Sequence, residues 1–137
     1  MNLDIHQYLE ELKNHLKATI KKVNFDLYSV NKRTTLPSVV ISIENFSEAE
    51  QTVDSSRELK YCDVSISFEV FTKDEQDFSK EEKCNIIVNL IINSLKNENY
   101  RNLFLSNSRP LPNLDSNVFR WRMVYTATIN TNNNGII

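Results

Sequence analysis

The stretch Arg57–Thr72, RELKYCDVSISFEVFT, places Cys62, Val64, Ile66, Phe68 and Val70 at alternate positions, with Asp63, Ser65, Ser67 and Glu69 between them. A period of two over this length specifies a β-strand with one dry face and one polar or subunit-facing side. The dry face must be covered, so the chain needs more sheet beside this strand and another layer over it. From Val118 a second such strand sets Phe119, Trp121, Met123, Tyr125, Ala127 and Ile129 on one face. Arg120, Arg122, Thr126 and Thr128 fall on the other. After Pro37, Val39, Ile41 and Ile43 alternate with Val40, Ser42 and Glu44, and FDLYSV (25–30) reads as a fourth, short strand.

Two segments carry the other period. Ile5, Tyr8, Leu9, Leu12, Leu16 and Ile20 recur at three and four residues behind Asp4, a cap, leaving Glu10, Glu11, Lys13, Lys17 and Lys21 outside. In DEQDFSKEEKCNIIVNLIINSLKNE, Ser79 and Glu82 have capping-box spacing ahead of Cys84, Ile87, Leu90, Ile91 and Leu95, with Ile86 and Val88 widening the apolar arc. SEAEQTVDSS (47–56) shows no period and is expected as a long exposed loop. YRNLFL is expected to add a short helical turn, with RPLP leading into the final strand. The expected fold is α+β: a largely antiparallel four-stranded sheet with two main helices on one face, in the order helix-strand-strand-strand-helix-strand. One domain spans 1–130, and 131–137 forms a flexible or interface-forming C-terminal arm.

A chain of 137 residues, 40% apolar and 25% charged, is long enough to bury a core without covalent staples. A net charge of -2 gives no whole-domain attraction to a phosphate backbone. With a single glycine, Gly135, glycine-rich phosphate-cradling loops are absent. Cys62 and Cys84, one in a strand and one in a helix, read as two buried thiols, with a disulfide or metal pair as the alternative. MNLDIHQYLEELKNHLK breaks its apolar positions with charge, and no apolar run is long enough for a bilayer. A soluble protein made in the cytoplasm is expected.

Chemistry is hard to find. His6 and His15 stand nine residues apart, outside the spacing that joins side chains on a helix. The acidic groups Glu10/Glu11, Glu48/Glu50, Asp74/Glu75/Asp77 and Glu81/Glu82 fall at helix starts, on exposed helix faces or in loops. The serines lack an oriented base. No catalytic, cofactor or metal residue is assigned, and the chain is expected not to be an enzyme. Arg101, Arg109, Arg120 and Arg122 form the most basic set. A charged outer face, a subunit contact and nucleic-acid stacking all remain open for them.

The N-terminal amphipathic helix, LPSVVISIE, YCDVSISFEVFTKD, EEKCNIIVNLIINSL and RPLPNLDSNVFRWRMVYTATIN together resemble the small tail-terminator, or tail-completion, proteins of long-tailed bacteriophages and prophages, also called minor capsid proteins. The resemblance is one of segment order over nearly the whole chain. It implies a hexameric ring at the head-proximal end of the tail that stops tube growth and joins the tail to the head connector. It further implies no cofactor, a tail-tube protein and a head-connector protein as partners, no membrane, and DNA that passes through without sequence-specific binding. The implied location is the virion tail, and the host bacterial cytoplasm during assembly. Suspected subunit or partner contacts are Glu48, Glu50, Val53 and Asp54 in the 47–56 region with Arg57 just after it, Arg120 and Arg122, and Ile136 and Ile137 in the arm. The alternatives are another phage head–tail connector or neck subunit, or a monomeric small-molecule-binding protein or enzyme with a pocket between sheet and helices.

Overall fold

The computed structural model describes residues 5–28, 36–54, 57–97, 100, 102–130 and 135–136; at 46–62, 113–115 and 128–136 only backbone is described. The order is α1 (Ile5–Thr19), β1 (Asn24–Leu27), β2 (Ser38–Asp54), β3 (Arg57–Thr72), α2 (Lys80–Ser94), β4 (Phe104–Asp115), β5 (Val118–Asn130) and β6 (Gly135–Ile136). The class is α+β, as the two periods require. The sheet, however, is mixed and larger than four strands. Its path is β1-β2-β3-β5-β4, with β6 also on β5. β1 lies parallel to β2, Phe25 facing Val39, while the remaining pairs are antiparallel.

Both helices pack on one sheet face. Leu9, Leu12 and Leu16 of α1 and Cys84, Ile87 and Ile91 of α2 meet Val39, Ile41, Val64, Ile66, Phe68, Val70, Met123, Tyr125 and Ala127. Register explains the common face, because Ile41 faces Phe68, which in turn faces Met123 on its other side. Ser79 caps α2 by accepting from the Glu82 amide at 3.2 Å, and the Glu82 carboxylate reaches back to the Ser79 amide. On α2, Leu90 and Ile86 are exposed rather than core-facing. Successive residues turn by about 100°, so the stripe through 84, 87, 88, 91 and 95 leaves 86 and 90 on the far side. The imidazole of His15 meets the Ser94 carbonyl at 3.0 Å and packs on Tyr100, tying α1 to the end of α2.

Two expectations are corrected. The 47–56 segment is not a long loop: β2 runs to Asp54, β3 begins at Arg57, and their register continues to the Asp54–Arg57 pair. β5 ends beside Tyr61, so the outermost pairs of β2 and β3 extend as a two-stranded ribbon. The 47–54 part of β2 carries no period of two, so its strand character leaves no mark in the sequence. The segment after α2 makes only a brief turn, with the Leu103 amide bonded to the Tyr100 carbonyl at 3.0 Å, before becoming the twelve-residue strand β4. As an edge strand, β4 tolerates Pro110 and Pro112, whose missing N–H groups cost no ladder bond when they face outward. Of the 131–137 arm, the described residues form β6, where Gly135 pairs with Asn130 and Ile136 with Ile129. Cys84 is a buried free thiol, so it forms no disulfide with Cys62.

Candidate functional site

The sheet face away from the helices is the most chemically distinctive surface. Alternation sends Arg120 and Arg122 of β5, Glu69 and Phe71 of β3 and Arg109 of β4 to that side. The register sets Arg122 between Glu69 and Arg109, and Arg120 beside Phe71. A bulge between Ile43 and Asn45 drops Glu44 out of the β2 ladder. Bulges re-aim side chains, and here the Glu44 carboxylate meets the Arg122 guanidinium directly. Arg120 lies 3.6 Å from Glu69, donates to the Pro112 carbonyl at 3.4 Å and stacks over Phe71 with 5.6 Å to the ring centre.

These pairs are not the freely hydrated kind. The side chains of Arg120 and Arg122 are only 17% and 22% exposed. Each buries its Nε with no partner among the described residues. Half-desolvated arginine beside carboxylate is costly to leave incomplete, and such groups are enriched where proteins meet. Arg122, Glu44, Arg109, Asn107 and Val124 line a hollow of about 50 Å³. Exposed apolar groups occur elsewhere: Ile86 and Leu90 on α2, and Phe104 and Leu105 at the start of β4.

The structure therefore brings Arg120 and Arg122 together on one surface. It places the backbones of Glu48, Glu50, Val53, Asp54 and Arg57 in the β2–β3 ribbon and that of Ile136 in β6. Ile137 and Arg101 lie outside the described residues. Arg109, part of the basic set, and Glu44 and Asn107 complete the surface. Alternation set Glu44 on the outer face, but its pairing with Arg122 carried no sequence signal because a bulge positions it, and Asn107 carried none because β4 has no readable period.

The titratable groups displaced from ordinary behaviour are buried, not poised. Burial pushes the Cys84 thiol up to about 12, against a smaller opposing hydrogen bond from Thr72, the reverse of an activated nucleophile. Tyr8, Tyr100 and Tyr125 are likewise raised, chiefly by desolvation. Both histidines are engaged, His6 with Tyr28 and Glu10, and His15 with the Ser94 carbonyl. Among the described residues no cluster of three His, Cys, Asp or Glu side chains could hold a metal, and no helix is long and apolar enough to cross a membrane. No protein-family model matches the chain, and no curated protein matches it in sequence.

Proposed function

We propose that this chain is a structural subunit that self-associates, and that it caps the head-proximal end of a bacteriophage tail as a ring. In this reading it ends tube growth and joins the tail to the head connector, in the host cytoplasm during assembly and in the virion tail afterwards. The observation that carries the self-association is the open sheet face, where half-buried arginines are paired through carboxylates yet retain unpartnered Nε groups. A surface of this kind gains from being covered, since water exclusion completes bonds already oriented. The phage assignment rests on the resemblance in segment order. A projecting two-stranded ribbon adds support, because such ribbons are marginal unless packed against something. The hollow of about 50 Å³ is far below the ~300–1,000 Å³ of ordinary small-molecule sites, which disfavours its use as a ligand pocket.

Sedimentation and electron microscopy of the protein, alone and with tail tubes, test the reading. Rings that seat on tube ends are the expected result, with mass action favouring them at higher concentration. A strict monomer that ignores tubes at every concentration overturns it. Rings that bind only a head connector point instead to a neck subunit.

A further inference from the structure

Arg109 stands directly across from Arg122 in the β4–β5 register. Like charges placed opposite one another in a sheet repel. Glu44 offsets one of them, leaving Arg109 with no carboxylate among the described residues. The hollow they share with Asn107 and Val124 therefore carries an amide and one positive charge that no described residue compensates. A water needs roughly 10–15 Å³ of such space. The hollow thus has room for a carboxymethyl group, but not for a nucleotide or a sugar. A planar guanidinium fork in such a space suits a carboxylate, which accepts two parallel N–H bonds.

The same chain carries a candidate for that carboxylate. The β2–β3 ribbon contains Glu48, Glu50, Asp54 and Glu58 against Arg57 and Lys60, and it reaches past the end of β5. It cannot serve its own hollow. Glu44 already lines that hollow, and β2 continues away from it at about 3.4 Å per residue, so Glu48 lies on the order of 14 Å farther along. We propose that the Arg109–Arg122 hollow is a carboxylate-binding site filled by an acidic side chain from the β2–β3 ribbon of a second copy. This rests on the self-association reading above and deepens it. Ribbon and hollow are different surfaces, so the contact is head-to-tail and repeats into a closed ring or an open filament.

Two measurements test this. In the first, arginine Nε–H signals are followed by NMR as sodium acetate replaces sodium chloride at constant ionic strength. The Arg109 and Arg122 signals should shift selectively, and in R109Q the Arg122 shift should be lost. No acetate-dependent shift overturns the carboxylate site itself, whatever the oligomeric state. In the second, sedimentation compares wild type, R109E and R109E/E50R/E58R. Arg109 is exposed on an edge strand, so R109E should keep the wild-type melt. It should weaken self-association at least about tenfold, an effect of the size expected for a desolvated charge pair. The compensating reversal should recover most of the loss. If R109E assembles as well as wild type, the ribbon-to-hollow contact is wrong and the ring reading stands. If wild type is monomeric at every concentration and with tubes, the second-copy occupant and the ring reading both fall.

Discussion

Replacing Phe68 with alanine tests the sheet order and the assignment of the dry face together. Phe68 is 0% exposed, sits on the central strand β3, faces Ile41 and Met123 across its two ladders and meets Tyr125 edge-on at 5.5 Å. Truncating a fully buried phenylalanine costs ~3–5 kcal/mol, because transfer and cavity terms add. Losing the ring pair with Tyr125 contributes about 0.5–1.5 kcal/mol within that range, so the upper half is expected. Trp121 provides the internal comparison. It lies toward the core but is only partly buried, and its indole N–H donates to exposed Ser108 at 2.7 Å. W121A should therefore cost about 2 kcal/mol, clearly less than F68A. Urea melts at fixed m-value give both numbers. A loss below about 1 kcal/mol for F68A would place the wrong face inward and refute the register, since a one-residue slip exchanges the two faces, whereas a larger loss for W121A than for F68A would refute the partial burial of Trp121.

The Cys84 thiol should resist a disulfide reagent at pH 8 in the native protein and react at once in denaturant. Its raised pKa also sets a sign. Below pH 9 folded and unfolded chains both hold the proton and its contribution is intact; between about pH 9 and about 12 only the unfolded chain releases it, so stability falls as pH rises. Denaturant melts at pH 8, 10 and 11 should show that fall, and C84A should reduce it most between pH 8 and 10, because the raised Tyr8, Tyr100 and Tyr125 add to the loss at higher pH. Lys22 adopts φ 64 just after α1, a left-handed conformation that costs a side-chain-bearing residue about 1 kcal/mol, so K22G should raise the melting temperature. Ser79→Ala removes the side-chain acceptor of the α2 capping box, leaving the bond from the residue-79 amide to the Glu82 carboxylate, and should destabilise by ~0.5–2 kcal/mol in the same melts, whereas S79D should retain most of the stability.

What could be read from the sequence depended on where a core lies overhead. α1, α2 and the strands through Val39–Ile43, Val64–Val70 and Phe119–Ala127 are written in periods of 3.6 and two because their neighbours demand apolar atoms at those positions. Past Phe46, β2 loses that period and looks like a polar loop, although it pairs with β3 as far as Asp54. β4 is exposed along Phe104–Pro110, and its prolines resemble punctuation. Strand direction leaves no trace in alternation, so β1 reads identically whether parallel or antiparallel to β2. On the open face the period placed Arg120 and Arg122 correctly on the side opposite Trp121. Their carboxylates were invisible, since Glu69 arrives through register and Glu44 through a bulge.

The chain order of the sheet also governs how the molecule can be made. β5 is inserted between β3 and β4, yet it follows both of them in the chain. Until residues 118–130 emerge, the Tyr61–Thr72 edge of β3 has no partner, β4 has nothing to pair with, and α2 covers a groove lacking Met123, Tyr125 and Ala127. An open edge beside unfilled apolar surface invites pairing with other nascent chains. A ribosome stalled anywhere before residue 118 therefore holds a half-sheet, and a chain truncated there yields no smaller working domain. The dense apolar face of β5 makes its insertion strongly downhill once it appears, so the sheet closes only after the segment following β4 has been made.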